Sequence, residues 1–175
     1  MSFFPLARYR YAGTSFAPVA TPTDFILIQG SATKIVWVKR IYLAGAATAA
    51  GTMPVQLAKR STAGTVGSAA LTAVAAVPCD SADDAATGVV STVGTANYTT
   101  LGTLTGYVAA GRLQMTALAT GLAAVPVVWD LSAAGEHRGV ALRGVLQHLG
   151  INLAGAAIPS GGVIDYFIET EEAPL

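Results

Sequence analysis

The sequence predicts an all-β chain: a single-domain antiparallel β-sandwich preceded by an extended N-terminal arm. Three observations lead there. From Asp24 to Ser61 the chain reads as three strands joined by two loops. Alternating apolar segments return at 86–120, 127–131 and 163–171, bounded by Gly, Thr, Ser and Pro. The length of 175 residues suits one domain with a core that needs no disulfide or metal. The arm is assigned to residues 1–23 and the sandwich to 24–175.

The elements follow in order. The arm holds Pro5, Pro18 and Pro22 around the alternation Arg8-Tyr9-Arg10-Tyr11, with Phe16 behind it. An arm of this kind has little to bury against its own sandwich, so it is expected to lie along a neighbouring subunit or another partner chain. The alternative is an extra strand folded back on its own sheet. Phe25-Ile26-Leu27-Ile28 is a short apolar strand. In the next strand the set Ile35, Trp37, Lys39, Ile41, Leu43 alternates with Lys34, Val36, Val38, Arg40, Tyr42. This places Trp37 in the core or in a subunit seam, on the face of Ile35 and Ile41. After small residues 45–52, Met53 to Arg60 alternates again. Such a meander needs a second sheet over its apolar face.

Ala69 to Val77 reads equally as helix or strand, and Pro78 ends either. Residues 86–120 look like edge strands with broad turns, and Val127–Leu131 like a short strand. Val140 to Leu153 fits a strand pair broken near Gly144 or Gly150, or one helix. The two interior glycines favour strands. Val163 to Glu171 is a strand with one apolar and one partly acidic face.

Charge is the most informative part of the composition. Only 11% of residues are charged, against about 25% in ordinary soluble domains. A surface so poor in charge is expected to be covered by other subunits, which makes the chain a homo-oligomer. Seven of the ten Lys and Arg lie in residues 1–60 with one acid, Asp24. A basic first third and an acidic remainder suit subunits docking on one another. The candidate interface residues are Arg8, Tyr9, Arg10, Tyr11, Phe16 and Trp37.

Other functions find little support. The N-terminus lacks a charged segment followed by a long apolar one, so no signal peptide is expected. Uncharged stretches such as 85–111 are too poor in Leu, Ile and Phe to span a bilayer, so no membrane partner is expected. Two arginines make too small a footprint for nucleic acid. Phosphate-binding, dinucleotide, metalloprotease and hydrolase-elbow motifs are absent. One Cys and two His leave no ordinary zinc site, and no cofactor is expected. Asp80, Asp83 and Asp84 lack the spacing of a calcium loop and read as a capped turn. Asp130, Ser132 and His137 lie close in sequence, but a triad is a geometry of three groups, not a spacing. No catalytic residue is assigned and the chain is expected not to be an enzyme.

One resemblance runs along the chain. PTDFILIQGSATKIVWVKRIYL, then VQLAKRSTAG, VVWDL, GVALRG, INLAG and the closing IDYFIETEE together resemble small virion structural proteins of tailed bacteriophages, of the head decoration or cement kind. The likeness covers roughly residues 20–172 and rests on strand pattern and on phrases such as GSATK, VQLAKRS and VWDL. It implies a jelly-roll-like sandwich and a trimer placed in the virion after assembly in the host cytoplasm. The partners implied are copies of itself and the major capsid protein or another virion protein. The alternative within the same setting is a receptor- or glycan-binding module of a head or tail fibre.

Overall fold

A computed structural model describes residues 6–65, 71–94, 96–120, 123–132 and 139–175. Twelve strands carry them, and the fold is all-β. The strands are β1 (Ala7–Phe16), β2 (Ile26–Gln29), β3 (Lys34–Ala47), β4 (Gly51–Arg60), β5 (Leu71–Ala73) and β6 (Val77–Pro78). They continue with β7 (Val89–Val93), β8 (Leu104–Ala117), β9 (Val127–Asp130), β10 (Val140–Arg143), β11 (His148–Asn152) and β12 (Val163–Pro174). The ambiguous 140–153 segment is therefore two strands. They turn at Gly144, whose φ of 73° suits a residue without Cβ.

All twelve strands belong to one curled, mixed sheet in the order β5-β7-β2-β11-β4-β8-β3-β12-β1-β6. The turning point is β8. It runs antiparallel to β4 along most of its length, then meets β3 in parallel at Met115–Ala117. Where β8 peels away from β3, β9 and β10 take its place along the same edge. The outermost strands, β5 and β6, are joined by Val74-Ala75-Ala76 alone. Four Cα steps span at most about 14 Å, so the two ends of the sheet lie close together. Both halves contribute to one core, with Ile26, Val55, Leu57 and Ile151 from one and Tyr9, Val38, Ile41 and Ile168 from the other.

The alternation in β3 changes phase part-way. Glu169 of β12 faces Arg40, but Thr170 faces Val38, so Lys39 is the extra residue of a bulge. Before it the fully buried positions are Val36 and Val38, and after it Ile41 and Leu43. A bulge turns the strand by one residue and moves each later side chain to the other face. Ile41 thus points into the core, whereas Trp37, out of phase with Val36 and Val38, is only half-buried. The expectation of Trp37 in this chain's core is corrected; Trp129, on β9, is the tryptophan packed there.

The arm also needs correction over its described part. Ala7 to Phe16 is a strand paired antiparallel with β12, from Ala7 opposite Glu172 to Phe16 opposite Ile164. Tyr9 and Tyr11 are 0% and 1% exposed and belong to the main core. Their hydroxyls donate to the carbonyls of Asp84 at 2.6 Å and Gly88 at 3.1 Å. Phe16 stacks on Phe25 and meets Tyr166 edge-on. The Tyr-x-Tyr alternation has period two, and β12 offers it an apolar face of Ile164, Tyr166 and Ile168. Residues 1–5 of the expected arm lie outside the described residues.

Candidate functional site

A buried polar cluster lies on the outer face of the β2-β11-β4 layer. Asp24 stands just before β2 and Arg60 ends β4. Arg60 Nε donates to Asp24 Oδ2 at 2.6 Å and Nη2 to Oδ1 at 3.0 Å, while Nη1 donates to the Gly102 carbonyl at 2.9 Å. Asn152 Nδ2 adds a third bond to Asp24 Oδ1 at 3.1 Å. Asp24 is 1% exposed and Arg60 6%. A buried pair is favourable only when its remaining donors and acceptors are satisfied, and this one is bound from several sides. Gly150 lies beneath it, where any Cβ would overlap the Asp24 carboxylate.

Two segments cover the pair. Thr65 pairs with Thr100 and Ser61 N–H donates to the Thr103 carbonyl, so the strand that leaves Arg60 zips to the one that enters β8. Below them Tyr98 packs with Leu27 and Val93 as a small second core. The Tyr98 hydroxyl is buried without a hydrogen-bond partner among the described residues. Burial, aided by the charge of Asp24, pushes its pKa up to about 12. His148, paired in register with Arg60 and Gln29, is also buried here. Burial pulls its pKa down against the opposing effects of a Thr62 backbone hydrogen bond and Asp24.

The sequence-derived interface residues lie elsewhere. Arg8 and Arg10 sit on the outer face of β1 and reach Glu169 and Glu171 of β12 at 3.4 to 3.7 Å. Arg10 also lies over the Phe167 ring, 5.6 Å from its centroid. Lys39 joins the same ladder through Glu171, and Lys34 reaches Glu172. Arg40 donates to Asp130 at 2.8 Å. The basic first third therefore meets the acidic remainder inside one chain, because β1 and β3 flank β12. That removes the charge-asymmetry argument for docking between subunits. Tyr9 and Tyr11 are core residues, Phe16 belongs to an aromatic cluster, and Trp37 is half-buried beside the ladder.

Asp130 and Ser132 form a turn. Ser132 donates both its N–H and its hydroxyl to Asp130 Oδ1. Arg40, with help from Ser132, holds the Asp130 pKa down at about 2. His137 lies outside the described residues. Asp80 likewise accepts from the Ala82 N–H at 2.9 Å and caps its turn.

Beside the covered pair opens a groove of about 710 Å³. Arg60, Asn152 and Gln56 lie along it, and Leu101, Leu104 and Tyr107 form its rim. Sequence reading passed over these residues. The available signal was Asp24, the one acid among seven bases in residues 1–60 and set directly against an apolar strand. No family model matches the chain, and no curated protein or solved structure matches it.

Proposed function

We propose that the protein is a bacteriophage virion structural protein, a capsid decoration or cement subunit that stabilises the head shell through subunit contacts. The observation that carries this reading is the exposed part of β8. From Leu104 to Gly111 the sequence LTGYVAAG holds no charge and no proline. Leu104, Tyr107 and Val108 are 43%, 56% and 38% exposed. One edge pairs with β4, and no described strand pairs the other before Met115. Soluble chains usually protect such an edge with Lys, Pro, bulges or a cover, because unpaired N–H and C=O groups recruit another strand; here bulges at Thr105 and Val108 interrupt the edge, but no charge or proline does. An edge left apolar and open suits a subunit whose partner covers it. The occupant in this reading is another virion chain, either a second copy or the major capsid protein. Repeated over a shell, modest contacts gain strength through avidity.

The test is co-sedimentation with shells assembled from the major capsid protein, with sedimentation velocity of the free protein. The reading expects shell binding and a trimer. The double variant Thr105→Lys with Val108→Lys should weaken both while leaving the circular dichroism unchanged. A 17.7 kDa monomer that ignores shells, or a variant that assembles as well as the parent, overturns it.

A further inference from the structure

The groove beside the Asp24–Arg60 pair has the dimensions and chemistry of a binding site. Its volume of about 710 Å³ lies within the range of roughly 300–1,000 Å³ typical of small-molecule sites. Among the described residues that line it Arg60 alone is charged, and Asp24 pairs with that charge. A charged ligand therefore gains no ion pair here. Hydrogen-bonding capacity remains. Arg60 is 6% exposed and serves Asp24 and Gly102 with three of its N–H groups, so that capacity lies with its neighbour on β4. Gln56 has a half-exposed amide with no hydrogen bond to a described residue and brings both a donor and an acceptor. Beside these polar groups, on the paired strand β8, lies Tyr107, 56% exposed, and Leu101 and Leu104 line the same groove.

A neutral ligand that offers hydroxyls on its edges and C–H groups on its face suits both the amide and the ring. We propose that this groove binds a neutral saccharide, one ring resting on Tyr107 and its hydroxyls held by Gln56. An uncharged peptide would satisfy the amide but has less use for a flat aromatic plate. The proposal concerns the free subunit, because Leu104 and Tyr107 also belong to the surface that the assembly reading covers; Thr105 and Val108, which do not line the groove, separate the two.

The experiment is saturation-transfer NMR on the full chain with maltose, lactose and cellobiose, each at about 10 mM, a concentration that detects weak binding, and with an uncharged tetrapeptide alongside. The expected result is transfer from protein to the ring C–H protons of at least one disaccharide. Tyr107→Ala and Gln56→Leu should each weaken that binding about tenfold, with unchanged melting temperatures. The edge variant Thr105→Lys with Val108→Lys should bind as the parent does, so failure of assembly and failure of this site are read separately. Absence of transfer from all three sugars, transfer that survives both groove substitutions, or preference for the peptide overturns the proposal.

Discussion

Arg60 grips Asp24 through two hydrogen bonds, at 2.6 and 3.0 Å, on a sheet face that the 61–65 and 98–103 segments keep from water. Removing one partner leaves the other charge buried without compensation. Asp24→Ala or Arg60→Ala should therefore each cost about 3–5 kcal/mol. The double variant should cost clearly less than the sum, since the two residues act as one unit. Urea denaturation of the three variants measures this. Single variants that lose less than about 1 kcal/mol would mean that water reaches the pair.

Gly150 tests the same packing from below. A methyl group there meets the Asp24 carboxylate, whereas one at Gly106 meets nothing within 4 Å. Gly150→Ala should destabilise by about 2 kcal/mol through overpacking. Gly106→Ala should stay within about 0.5 kcal/mol of the parent. Equal melting temperatures for the two variants would contradict the contact.

Acid should loosen this corner. His148 ordinarily titrates near 6.5 and is held lower in the folded chain, chiefly by burial. The groups around it are Arg60 and Gln29 across the strands, the Thr62 backbone, and Asp24. Because the unfolded chain takes up the proton first, the contribution of His148 is complete above pH 6.5 and declines as the pH falls below it. The decline ends once the folded histidine also titrates. Urea midpoints from pH 7.5 to 5 should fall for the parent and fall less for His148→Gln. Parallel curves would remove His148 from the account.

The β class was legible because alternation survives in most strands: Met53 to Leu57 and Val163 to Thr170 carry it without interruption. What escaped the sequence were events that break or redirect a local pattern. The bulge at Lys39 leaves no mark in KIVWVKRIYL, since both faces there are rich in apolar residues, and it reversed the placement of Trp37. The strand β1 was visible as Tyr-x-Tyr alternation, yet its partner lies 148 to 165 residues away, beyond any local signal. The Asp24–Arg60–Asn152 cluster joins three distant strands for the same reason. Trp37→Ala should now cost about 1 kcal/mol, against about 3–5 kcal/mol for Trp129→Ala in the core.

Deleting residues 1–16 is the sharpest test of the N-terminal strand. A detachable arm would leave the remaining fold intact. The structure requires otherwise. Tyr9 and Tyr11 fill the core against neighbours that include Ile41 and Ile168, and their hydroxyls anchor the 84–88 segment. Each buried aromatic lost from a core costs about 3–5 kcal/mol. The two together approach the whole stability of a typical domain, about 5–15 kcal/mol. The deletion also strips one edge of β12 and leaves β6 without its partner. Outer-face changes should be mild by comparison: Arg8→Ala and Arg10→Ala remove half-exposed ion pairs, each within about 1 kcal/mol. The deletion variant should therefore show no cooperative thermal transition by circular dichroism, while Arg8→Ala with Arg10→Ala melts close to the parent. A truncated chain that keeps a sharp transition would place the two tyrosines outside the core and return the segment to the role of an arm.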